Sequence, residues 1–159
     1  MNSADQTKSR IYLTVLTGFL GAGKTTILNR YLESPFGEGT AVLVNEFGDV
    51  DVDSAIIGAA SEGAKMMSLP NGCVCCEMQD DLSSTLIELA KRHNSEGDIS
   101  RCIIETSGLA VPSSILRTIG RNPSLKAEFE VAQTICVASA PAIIDQANKY
   151  VEAAEQIAI

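Results

Sequence analysis

The stretch Gly18 to Thr26, GFLGAGKTT, constrains this chain more than any other. Its first eight residues fit the pattern G-x-x-x-x-G-K-S/T. The flanks fit as well. Ile11 to Thr17, IYLTVLT, is rich in apolar and β-branched residues and predicts a buried strand. A helix is predicted from about Lys24 to Glu33, with Ile27, Leu28, Tyr31 and Leu32 on one side. Ser34-Pro35 and nearby glycines end it. In the order strand, glycine-rich turn, helix, successive N–H groups turn inward and form an anion nest. The helix N-terminus adds partial positive charge. Lys24 is then placed to reach β- and γ-phosphates, and the Thr25 hydroxyl to hold Mg²⁺.

The remaining chain repeats the alternation. Strands are predicted at Thr40 to Val44, Ala64 to Leu69, Arg101 to Ile104 and Val131 to Ala138. Helices are predicted from Glu77 to Arg92, from Pro112 to Gly120, and over roughly Ala142 to Ala154. The expected fold is therefore α/β, a P-loop NTPase with a mostly parallel sheet flanked by helices. The 159 residues suffice for one domain with a real core, and 45% of them are hydrophobic. Residues 1–10 are polar and read as a disordered tail without a secretory signal, leaving 11–159 as the domain. That reading places the protein in the cytoplasm. No apolar run approaches a membrane span. A net charge of −8 argues against a nucleic-acid partner.

Two further segments bear on phosphate chemistry. Ile103 to Gly108, IIETSG, is an apolar strand ending in an acid, with a glycine three residues on. Strand ends of open α/β sheets form the ligand edge, so Glu105 falls beside the phosphate loop. There it can orient a water or a Mg²⁺-bound water, and the Gly108 N–H can sense a γ-phosphate. Lys24, Glu105 and Gly108 are accordingly the candidate catalytic residues. In Val44 to Asp53, VNEFGDVDVD, four acids follow a strand. Glu46 or Asp53 can contact Mg²⁺, its water or a second metal. A solvated acidic loop is an equal reading.

The sequence also packs three thiols into NGCVCCE, Asn71 to Glu77, in a chain with a single histidine. Together GFLGAGKTT, VNEFGDVDVD, NGCVCC and ETSGLAVP occur in an order that resembles the CobW-type GTPases. These are metallochaperones related to the cobalamin-synthesis W protein. The likeness covers about Ile11 to Pro112 closely and the rest loosely. It implies GTP as substrate, Mg²⁺ as cofactor, and slow hydrolysis. It implies Zn²⁺ or Co²⁺ bound by Cys73, Cys75 and Cys76 and handed to a client metalloprotein. It also implies phosphate binding by Gly21, Ala22, Gly23, Lys24, Thr25 and Thr26. Nucleotide-dependent dimers of related GTPases make a homodimer a candidate assembly. The donor chemistry agrees: thiolates favour Zn²⁺, Cu⁺ or Co²⁺ over Mg²⁺, and three leave a fourth tetrahedral position open. Three inert thiols or a redox switch are the other readings of this loop.

Two departures stand against the family pattern. The guanine-selecting N-K-x-D motif does not occur, and the chain closes on the apolar VEAAEQIAI. The expectation is a domain lacking its last strand or strands, its base-recognition motif and a C-terminal domain. Ser139 stands where the family commonly carries the acid of a V-D-A pattern. A non-catalytic metal- or nucleotide-binding fragment and a P-loop ATPase or kinase are the competing classes. Cys102 and Cys136 are expected in the core, and His93 is expected to face the helix dipole or solvent.

Overall fold

The computed structural model describes residues 9–44, 65–68 and 77–159. Its elements run β1 (Ile11–Thr17), α1 (Lys24–Leu32), a 3₁₀ turn (Pro35–Gly37), β2 (Thr40–Val44), β3 (Lys65–Ser68), α2 (Glu77–Glu96), β4 (Arg101–Glu105), α3 (Pro112–Arg121), α4 (Pro123–Glu128), β5 (Phe129–Cys136), α5 (Ile143–Lys149) and α6 (Val151–Ile157).

Among the described residues the sheet is five-stranded and parallel, in the order β3-β2-β4-β1-β5. Strands buried on both faces read as apolar runs, and β1 and β2 do so here. Alternate residues of one strand face opposite sides. Ile11, Leu13, Val15, Ala41, Leu43, Cys102 and Ile104 join one core with Leu82, Leu86 and Leu89 of α2 and Ile115 and Ile119 of α3. Leu16 and Val42 face the other way and pack with Leu28 and Leu32 of α1. Between α1 and β5 that second face opens as a groove of about 420 Å³, lined in part by Tyr12, Ile27, Tyr31, Phe36 and Ile135.

Several element bounds differ from the sequence-based expectation. β5 begins at Phe129 and ends at Cys136, because Ile11 pairs with Phe129 and Thr17 with Cys136. The pairing skips a residue between Leu13 and Thr14, whose partners are Val131 and Gln133, so a bulge carries β5 past β1. The short helix α4 was not expected. Asn122 starts it, accepting on Oδ1 from the Ser124 and Leu125 N–H groups, with Pro123 in the first turn. The single helix expected over Ala142 to Ala154 is two helices. Tyr150 lies between them in an extended conformation, φ −127° and ψ 121°.

Candidate nucleotide site

The carboxyl ends of β1, β4 and β5 meet at one sheet edge. β1 leaves through Thr17 and Gly18 into the glycine-rich turn, and Gly21 and Gly23 of that turn have positive φ. α1 starts at Lys24 with no side-chain cap, so its leading N–H groups face the turn unclaimed by any capping side chain. Uncapped N–H groups and the helix dipole both favour an anion there.

Lys24 is buried at 9% exposure, and its Nζ donates to the carbonyls of Gly18 at 2.8 Å and Phe19 at 3.4 Å. Burial lowers its pKa from the ordinary lysine value, while the nearby Glu105 and Cys136 pull it back up. Glu105, the last residue of β4, is 4% exposed. The Thr25 hydroxyl donates to its Oε1 at 2.8 Å, across 80 residues of sequence. Thr25 and Glu105 thus form a pair of hard oxygen donors beside a buried ammonium. That donor set fits Mg²⁺, which prefers oxygen ligands. Ser107 Oγ is buried at the same edge and has no hydrogen-bond partner among the described residues.

The turn after β4 is tied on three sides. Thr106 N–H donates to the Leu16 carbonyl at 2.9 Å, and its hydroxyl to Thr17 Oγ1 at 3.0 Å. Gly108 abuts the glycine-rich loop so closely that a Cβ there would lie 2.7 Å from the Leu20 nitrogen. Gln156 of α6 donates from Nε2 to the carbonyls of Gly108 at 3.1 Å and Ala110 at 2.9 Å. Phe19 stacks on Tyr150 with ring centroids 4.8 Å apart. Gln156 and Tyr150 were missed by sequence reasoning. The available signal was an uncharged polar residue inside the apolar run QIAI.

The structure therefore brings Gly21, Ala22, Gly23, Lys24, Thr25, Glu105 and Gly108 to one edge, with Thr26 following on the exposed side of α1. Cys102 is fully buried as expected, and burial pushes its thiol up to about 12. Cys136 is not a core residue: it is half-buried at the end of β5, close enough to Lys24 for their charges to interact. A strand end at this edge faces the ligand region, which apolar composition alone does not reveal. His93 lies near the end of α2, and its Nε2 is 2.9 Å from the Ser9 carbonyl. Glu46, Asp53, Cys73, Cys75 and Cys76 lie outside the described residues. Among the described residues no three His, Cys, Asp or Glu side chains form a metal-holding group. No described helix is long and apolar enough to cross a membrane.

Comparison with known proteins follows the same outline. Residues 12–159 match the model of the CobW/HypB/UreG nucleotide-binding domain. The chain is 37% identical over 145 residues to the zinc chaperone CobW of Pseudomonas aeruginosa, covering 87% of this chain and 38% of that protein. It is 33% identical over 137 residues to the zinc-regulated GTPase metalloprotein activator 1 of Schizosaccharomyces pombe, covering 84% and 33%. Among solved structures it resembles the Zn(II)-bound YjiA GTPase from E. coli, with a TM-score of 0.70, 27% identity, and coverage of 93% of this chain and 46% of that one. The chain spans less than half the length of each of these relatives.

Proposed function

This chain belongs to the CobW/HypB/UreG nucleotide-binding domain family, and we propose that it binds Mg²⁺·GTP and couples GTP hydrolysis to the holding and delivery of Zn²⁺. The observation that carries the reading is the Thr25–Glu105 hydrogen bond of 2.8 Å beside the buried Lys24. It joins two distant sequence motifs at the one place where a phosphate and its cation would both be held. The zinc chaperone relatives supply the metal, and the cysteine loop supplies soft ligands for it.

In this reading Lys24 exchanges its carbonyl partners for phosphate oxygens, and the N–H groups from Gly21 to Thr26 cradle them. Thr25 and Glu105 would hold Mg²⁺, and the bound ion would neutralise charge on the transferring phosphoryl group. Glu105 fixes the water that attacks, and the Gly108 N–H reports whether a γ-phosphate is present. Cys73, Cys75 and Cys76 carry the zinc as cargo, and a client metalloprotein completes or replaces the fourth ligand. The acidic segment with Glu46 and Asp53 is read as the switch that couples nucleotide state to metal binding. This reading takes the chain to be cytoplasmic, where thiols remain reduced.

The test is an anaerobic Zn²⁺ and Co²⁺ titration with and without Mg²⁺ and a non-hydrolysable GTP analogue. Cys73, Cys75 and Cys76 changed together to Ser provide the control. The expected result is a one-to-one site that shows thiolate-to-Co²⁺ absorption, requires the cysteines and tightens with the analogue. Metal affinity that is unchanged by a bound analogue overturns the coupling. Loss of cysteine dependence overturns the metal assignment.

A further inference from the structure

Gln156 is an uncharged polar residue sealed in the interior, with 1% exposure. Its two hydrogen-bond partners, the carbonyls of Gly108 and Ala110, can only accept. The amide must therefore present its NH₂ to the turn. The Gln156 Oε1 on the other side is buried with no partner among the described residues. A side chain kept in that state is there for its donors, since an apolar residue of the same size would avoid an unsatisfied oxygen.

The turn it holds is the one that must read the nucleotide. On one side Gly108 presses on Leu20 of the phosphate loop, with no room for a Cβ. On the other side Gln156 grips the carbonyls of Gly108 and Ala110. Tyr150, the residue just before α6, touches the phosphate loop directly by stacking on Phe19. Both loops at this edge thus touch α6 or Tyr150, the residue that precedes it.

We propose that Gln156 is a positioning residue that holds the Gly108–Ala110 turn in the triphosphate-reading position and carries the nucleotide state into α6. The proposal rests on the nucleotide-binding reading above and adds a component that no phosphate-contacting motif contains. Because coupling is reciprocal, a turn that shifts with the γ-phosphate must alter the environment of α6.

The experiment compares the affinities of this chain for GDP and for a non-hydrolysable GTP analogue, both with Mg²⁺, in wild type, Gln156→Met and Gln156→Glu. Thermal unfolding of each variant is followed alongside. Both variants retain length and lose the two donors. Analogue affinity is expected to fall roughly five- to tenfold, on the scale of one or two net hydrogen bonds, while GDP affinity stays within about twofold. An equal loss for both nucleotides, or an unchanged ratio in a folded variant, overturns the proposal. Should neither variant fold, amide hydrogen exchange in the wild-type chain decides. Protection at residues 106–111 and 151–157 is expected to differ between the GDP and analogue complexes, and identical protection overturns the inference. A wild-type chain that binds neither nucleotide instead overturns the nucleotide-binding reading itself, and the proposal with it.

Discussion

Gly18→Ala tests how the phosphate loop is anchored to the sheet. Gly18 has φ +144°, a conformation that side-chain-bearing residues rarely adopt. A Cβ built on it would lie 2.1 Å from the Val137 carbonyl oxygen and 3.0 Å from its carbon. Backbone cannot yield as a flexible side chain can, so the Val137 peptide must retreat by about 1 Å to restore ordinary contact. That retreat breaks the Val137 N–H donation to the Thr17 carbonyl, now 2.8 Å. Strain of about 1–3 kcal/mol for the backbone conformation and about 1 kcal/mol for the hydrogen bond add to a loss of about 2–4 kcal/mol. Gly97→Ala is the matched control, because Gly97 has φ +72° and nothing within 4 Å of its would-be Cβ. It carries backbone strain alone, about 1–2 kcal/mol. Urea unfolding of both variants measures the difference. Gly18→Ala should be the more destabilised by about 1–2 kcal/mol, from the hydrogen bond lost when Val137 retreats and the greater backbone strain together. If the two lose the same stability, Val137 does not pin the loop and the reasoning fails.

Three more outcomes follow from the site. Burial lowers the pKa of Lys24 and bound phosphates would raise it, so GTP affinity should fall as pH rises through the free-state value and binding near that pH should take up protons. Calorimetry in two buffers of different ionisation enthalpy detects the uptake, which Lys24→Met should abolish. In a chain with Cys73, Cys75 and Cys76 changed to Ser, Cys136 should be alkylated while Cys102 is spared, and Mg²⁺ with a GTP analogue should slow the Cys136 reaction, as mass spectrometry can read. A double-mutant cycle of Phe19→Ala and Tyr150→Ala should give a coupling of about 0.5–1.5 kcal/mol in unfolding experiments, and additive losses would mean the stacked pair contributes nothing of its own.

What the sequence made legible has a common physical origin. All five strands were placed to within two residues; for β1 and β2 the reason is that parallel strands buried on both faces must be apolar runs, and such runs are visible without a partner. The phosphate loop was visible because its glycines, lysine and threonine are each fixed by local geometry. Glu105 could be placed at the ligand edge because topology, rather than any contact, puts a strand end there. The features that escaped all depend on residues distant in sequence. Tyr150 is extended between α5 and α6 and stacks on Phe19, 131 positions earlier, while an uninterrupted helix satisfied the local pattern. Cys136 reads as core by composition, yet the bulge and pairing of β5 deliver it to the side of Lys24. Gln156 reads only as part of the apolar closing segment VEAAEQIAI, and its place under the Gly108 turn depends on residues nearly fifty positions earlier. These long-range contacts are also the ones that join the phosphate loops to the rest of the domain. Motifs thus locate the candidate site in this chain, whereas the burial and partners of side chains such as Gln156 are defined only by the assembled fold.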